Sequence, residues 1–78
     1  MRTSAIIGMD GNCGYCLLGE NLQEGEAEFV CIDDAPEIHK ENGIRSMEKW
    51  AMTQAHKRLC KRLDKQIPYY ISTDHWGN

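Results

Sequence analysis

A chain of 78 residues with 41% hydrophobic and 27% charged side chains makes one small globular domain over 1–78 and excludes a disordered or low-complexity chain. Its length lies near the lower limit at which a hydrophobic core alone sustains a fold, and no apolar run approaches the ~18 residues of a membrane span. The net charge of −3 is uneven: residues 1–41 hold nine acids and two bases, residues 42–78 three acids and seven bases.

The first eight residues contain too short an apolar stretch for a secretory signal, which predicts a cytoplasmic protein. In that reducing compartment the four cysteines point to catalysis, metal binding or buried free thiols rather than to structural disulfides.

In chain order, Thr3–Met9 is apolar and rich in small and β-branched residues, which predicts a buried strand. Asp10-Gly11-Asn12 is a turn signal. Tyr15–Gln23 reads as a short helix, weakened by Gly19 and closed near Gly25. Ala27–Asp33 reads as a second strand, ended by Asp34-Ala35-Pro36, and His39–Gly43 as a loop or a frayed helical turn.

Ser46 is a suitable N-cap for the longest helix, about Met47–Lys65. At 100° per residue, Ala51, Met52, Ala55, His56, Leu59, Cys60 and Leu63 share one arc, and Lys57, Arg58, Lys61, Arg62 and Lys65 fill the opposite one. The basic arc reads as a solvated helix face, and a nucleic-acid partner is disfavoured. Ile67-Pro68 breaks the helix, and Tyr69–Thr73 reads as a third strand before the turn residues His75–Asn78.

The motif that carries chemistry is Cys13-Gly14-Tyr15-Cys16. At the first turn of a helix, two cysteines at this spacing can close a small disulfide ring, and the unpaired N–H groups there favour a thiolate on the first sulfur. Cys13 is then the attacking thiol and Cys16 the resolving one. Lowering a thiol pKa from ~8.5 to about 5.5 raises the thiolate fraction at neutral pH roughly thirtyfold. It also costs about 15- to 30-fold in nucleophilicity, so the gain lies in how readily Cys13 leaves a mixed disulfide.

With the strand Thr3–Met9 before this motif, the strand Phe29–Asp33 after it, and Ile67-Pro68 leading into Tyr69-Tyr70-Ile71, the chain resembles the glutaredoxins and their thioredoxin-fold relatives. The resemblance implies an α/β fold of the thioredoxin type: a small mixed sheet flanked by helices, in the order β-α-β-α-β. Trp76-Gly77-Asn78 stands where the family continues into a last strand and helix. The resemblance implies a disulfide oxidoreductase acting through Cys13 and Cys16. Pro68 would be cis beside the disulfide, Ile67 and Pro68 would dock the substrate, and Tyr15 would stand at the rim. No bound cofactor is implied. Glutathione or a reductase would supply electrons, and the partner would be a disulfide-bearing protein such as ribonucleotide reductase, with no membrane involved.

A competing arrangement has Cys13, Cys16, His56 and Cys60 as zinc ligands in a small interaction module, because His56 and Cys60 lie four apart on one helix. A third class is a binding protein with inert cysteines.

Overall fold

A computed structural model describes residues 4–19 and 26–72. Strand β1 (Ala5–Asp10) turns directly into β2 (Cys13–Leu18), and β3 is Glu26–Cys31. A 3-10 turn at Ile32–Asp34 leads to a short helix α1 (Glu37–Glu41), the long helix α2 (Ile44–Leu63) and strand β4 (Tyr69–Ile71). The result is an α/β protein whose mixed four-stranded sheet has the order β3-β2-β1-β4. β1, β2 and β3 form an antiparallel meander, and β4 lies parallel to β1. Parallel pairing requires a crossover, and α2 supplies it.

The order β-β-β-α-α-β departs from the expected β-α-β-α-β in the stretch read as a helix from Tyr15, of which Tyr15–Leu18 lies in β2 and residues 20–23 lie outside the described residues, and in the short helix α1 near the expected loop or frayed turn. The cause of the first lies in the turn after β1. Asp10 pairs with Cys13, so Gly11-Asn12 is a two-residue hairpin loop, and Gly11 supplies the positive φ of +64° that such a loop needs at its first position. A chain leaving that loop runs straight back along β1. Gly14 and Gly19 also deny a helix the propensity it would need.

Alternation along the strands sorts the side chains onto two faces. Ala5, Ile7 and Met9 of β1, Cys16 of β2 and Val30 of β3 point into the core, where they meet Ala51, Met52, Ala55 and Leu59 of α2 and Ile67 beyond it. The predicted apolar arc of α2 is thus the buried one. The helix begins two residues before Ser46, with Gly43 at its N-cap in a backbone conformation (φ +102°) that favours glycine.

Gly14 sets how closely α2 approaches. A Cβ placed there would lie 2.5 Å from the backbone nitrogen of Met52 and 2.6 Å from the carbonyl carbon of Ala51. Ala51 and Ala55, both fully buried, complete the small-residue contact on the helix side.

At its far end α2 stops in a Schellman motif. The N–H of Asp64 bonds to the carbonyl of Lys61 (3.2 Å) and that of Lys65 to the carbonyl of Cys60 (3.0 Å). Asp64 holds the left-handed position (φ 54°) that glycine usually fills, and its carboxylate faces the negative end of the helix dipole.

Two stability changes follow from these contacts. Gly14→Ala forces a methyl group into the α2 backbone and is expected to cost about 2–3 kcal/mol or more, read as a lower urea midpoint. A midpoint equal to the parent's would show that the helix can stand off. Asp64→Gly relieves both the left-handed strain and the dipole repulsion and is expected to raise stability by about 0.5–1 kcal/mol; a loss in the same assay would contradict that account.

Candidate functional site

The second face of the sheet has no helix on it among the described residues, and its side chains fall into three rows. The first row runs Tyr70–Ile6–Leu17–Ala27, the second Ser72–Gly8–Tyr15–Phe29, and the third Asp10–Cys13–Cys31. (Ser72 continues the β4 register by one step; its N–H bonds to the carbonyl of Ile7.) Tyr15 lies at the centre. Its ring spreads over Gly8, where any Cβ would meet the phenol oxygen at 2.7 Å, and its centroid is 6.3 Å from that of Phe29. Tyr15 is only 7% exposed, while Phe29 and Tyr70 are 47% and 49% exposed.

This geometry corrects the picture of a dithiol at a helix tip. Cys13 and Cys16 are both on β2, three residues apart, so their side chains leave opposite faces of the sheet. Cys13 is half-buried on the open face; Cys16 is fully buried under α2. Disulfide formation needs the two Cβ atoms within about 4.5 Å and turned toward each other, which a continuous strand denies them. Burial above all pushes the Cys16 thiol up to about 12, with the Cys60 thiol and the Glu28 carboxylate adding to the effect. A thiol so placed stays protonated and packs as a small hydrophobe.

The other expected site residues lie elsewhere. The Ile67–Pro68 bond is trans, as are all peptide bonds among the described residues. Ile67 is a core side chain, 6% exposed, and its carbonyl accepts a 2.6 Å hydrogen bond from His56 Nε2–H. The Pro68 carbonyl accepts from the N–H of Ala5 at 2.8 Å. Cys13 pairs with Asp10, five residues further along β1, which puts it roughly 16 Å from Pro68 at ~3.3 Å per residue. Ile67 and Pro68 thus brace the start of β4, and Tyr15 belongs to the open face.

The four proposed zinc ligands do not converge either, since Cys13 points away from the face that carries Cys16. Among the described residues, no three His, Cys, Asp or Glu side chains form a group able to hold a metal. His56 acts as a clip. Besides its bond to the Ile67 carbonyl, its ring lies 4.6 Å from the Tyr69 ring, and the Cys60 sulfur lies 3.4 Å from Nε2.

The basic arc of α2 is solvent-exposed at Lys57, Arg58, Lys61 and Lys65. Arg62 instead reaches the edge strand, meeting Glu26 at 2.6 Å, Glu28 at 2.7 Å and the Ala27 carbonyl at 3.0 Å. Trp50 is partly buried against the core. No helix among the described residues is long and apolar enough to cross a membrane.

Sequence reasoning passed over Cys31 and Phe29 as site residues. The available signal was the Gly11-Asn12 turn: read as a two-residue hairpin loop, it makes Cys13 the first residue of a returning strand.

No protein-family model, no curated protein and no solved structure matches this chain.

The burial of Cys16 has a consequence for pH. Below the ordinary thiol value of 9.0 its proton is retained in both folded and unfolded chains, and no stability is lost. Between 9.0 and about 12 the unfolded chain releases that proton and the folded chain keeps it, so stability falls as pH rises. The parent's urea midpoint is expected to drop more steeply from pH 9 to about 11 than that of Cys16→Ala. Parallel slopes would mean that the thiol is open to solvent. In the native protein Cys16 is likewise expected to be the last of the four thiols alkylated.

Proposed function

We propose that this protein is an interaction module that associates through the open face of its sheet, with a second copy of the same chain as the occupant. The observation that carries this reading is the failure of polar alternation. An antiparallel sheet with one face in water normally alternates apolar-in with polar-out. Here the outward positions of the four strands are Ile6, Gly8, Asp10, Cys13, Tyr15, Leu17, Ala27, Phe29, Cys31 and Tyr70, and Asp10 alone among them is charged.

The chemistry of the face narrows the partner. It presents a carboxylate and no basic side chain, which disfavours the phosphate contacts that dominate nucleic-acid affinity. Most of the described lysines and arginines (Arg45, Lys49, Lys57, Arg58, Lys61 and Arg62) lie on α2, across the sheet. With almost no charge to repel its own image, the face suits an isologous two-fold contact in which Phe29 and Tyr70 of each copy pack at the ~10 Å spacing of stacked sheets.

Area sets the strength. Four strands at ~4.8 Å spacing and about five residues at ~3.3 Å each give a face of roughly 300 Å². Twice that, with allowance for side-chain relief, stays below the ~1,200 Å² of total burial at which stable complexes begin. The association is therefore reversible and concentration-dependent.

The enzymatic alternative, disulfide reduction by Cys13 with Cys16 as the resolving thiol and glutathione or a reductase as donor, draws no support from strand β2. Cytoplasmic residence is a further part of the proposal and rests on the free thiols alone.

Sedimentation across a concentration series tests the proposal. Burying the exposed half of Phe29 is worth about 1 kcal/mol per copy, and a two-fold contact counts it twice. Phe29→Glu is therefore expected to weaken self-association at least thirtyfold, about 2 kcal/mol, while leaving the circular dichroism spectrum unchanged. A parent that stays monomeric to millimolar concentration, or a folded Phe29→Glu that associates as the parent does, would sink it.

A further inference from the structure

The third row of the open face brings together two thiols that lie eighteen positions apart in the chain. Cys13 and Cys31 are directly opposite each other on the antiparallel strands β2 and β3. Whether such a pair can bond depends on where it falls in the ladder. The N–H of Ile32 donates to the carbonyl of Asn12 at 2.8 Å, which makes Asn12 and Ile32 a hydrogen-bonded pair. Pairs alternate along an antiparallel ladder, so Cys13 and Cys31, the next pair in, are a non-hydrogen-bonded one. At such positions the Cα atoms stand ~4.5 Å apart and the side chains rise close together on one face, inside the ~4.4–6.8 Å range that a disulfide spans. Both thiols are free and half-buried, with access from solvent. Cys31 holds an extended backbone (φ −75°, ψ 139°), so no change of strand conformation is needed to turn its sulfur toward its neighbour.

The surroundings are acidic. Asp10 is the partner of Cys13 on the other side, exposed on the same face. Asp33 and Asp34, also exposed, follow Cys31 in the 3-10 turn. No lysine or arginine stands on this face among the described residues. A small disulfide approaching the row meets negative charge.

We propose that Cys13 and Cys31 form a thiol–disulfide exchange site for low-molecular-weight disulfides, with cationic ones preferred. The thiolate of one cysteine attacks a sulfur of the disulfide R–S–S–R. One protein–S–S–R bond forms, the R–S–S–R bond breaks, and R–S⁻ leaves to take up a proton. The second cysteine, as thiolate, attacks the protein sulfur of that mixed disulfide and expels the second R–S⁻. The two protein thiols are oxidised to one cross-strand disulfide, and R–S–S–R is reduced to two R–SH. The exchange does not rest on self-association, because the thiol row lies at the end of the sheet face, beside the aromatic rows rather than among them.

The test exposes the folded, reduced protein to cystamine (cationic), hydroxyethyl disulfide (neutral) or oxidised glutathione (anionic), followed by acid quench and mass analysis. The parent and Cys16→Ala are expected to gain an internal disulfide, whereas Cys13→Ser and Cys31→Ser stop at a mixed disulfide with the reagent. Cleavage at glutamates followed by fragmentation assigns the bond in the parent without any variant, so a variant that misfolds leaves the test intact. After correction for each reagent's rate with a simple thiol, cystamine is expected to react faster than oxidised glutathione. One carboxylate at ~5 Å in water changes the rate about fourfold per unit of reagent charge, in opposite directions for the cation and the anion, so Asp10→Asn should reduce the preference for cystamine over oxidised glutathione by roughly an order of magnitude. An internal bond to Cys16 or Cys60, or a folded parent that accumulates only mixed disulfides, would overturn the site. A rate ratio unmoved by Asp10→Asn would overturn the charge preference.

Discussion

The packing of α2 directly on β2 at Gly14 is the constraint from which the rest of the molecule follows. With a Cβ position only 2.5 Å from the helix backbone, no other residue type fits there without displacing the helix. Because Gly14 faces α2, its neighbours along the strand are assigned: Cys16 goes inward with it, and Cys13 and Tyr15 go outward. The burial of Cys16 and the exposure of Cys13 have one cause. The glycine inside the Cys-x-x-Cys motif, which in a helix would cost propensity, here makes a close helix–sheet contact.

The other links between sheet and helix are polar and lie at the margins. Arg62 spans Glu26 and Glu28 on the edge strand, so part of the charge imbalance between the two halves of the chain is met within the molecule. Arg62 and Glu26 are exposed and Glu28 is half-buried, so these bonds add little to stability. They also occupy the side of β3 that faces the helix, which explains how Glu28 can interrupt an otherwise apolar strand. On the opposite edge His56 and Tyr69 hold the start of β4, where the Pro68 carbonyl rather than a proline N–H enters the ladder. Proline suits a strand start for that reason.

The legible parts of the fold were those governed by periodicity. The buried arc of α2 was readable because seven residues recur at helical spacing, and β1, β3 and β4 because β-branched and aromatic residues cluster there. The segment at 13–18 was not readable, since Cys-Gly-Tyr-Cys-Leu-Leu has no strict alternation of polar and apolar residues. Both of its faces are covered or apolar: one by α2, the other by the Tyr15 ring lying on Gly8. Its state is decided by the two-residue turn before it and by the tertiary contact at Gly14, neither of which a window of sequence contains. The family resemblance rested on landmark spacing, and spacing does not tell a strand from a helix. The pairing of Cys13 with Cys31 depends on strand register, which becomes visible only when the hairpin loop is known.

An apolar sheet face on so small a protein is a departure from local consistency. Among the described residues the core lies between the sheet and α2, and the outward positions of the strands are where polar side chains would have been least costly. Instead they carry two half-exposed aromatic rings, aliphatic side chains and a pair of thiols. Departures of this kind concentrate where function requires them. The three rows also differ among themselves: the aromatic and aliphatic rows offer area without charge, and the thiol row offers chemistry beside three carboxylates. A cross-strand bond in the third row would staple β2 to β3 and fix the tilt of Phe29, two residues from Cys31 on the same face. Such a bond would link the two proposed roles through one strand pair, the state of the thiol row setting the rigidity of the aromatic row beside it.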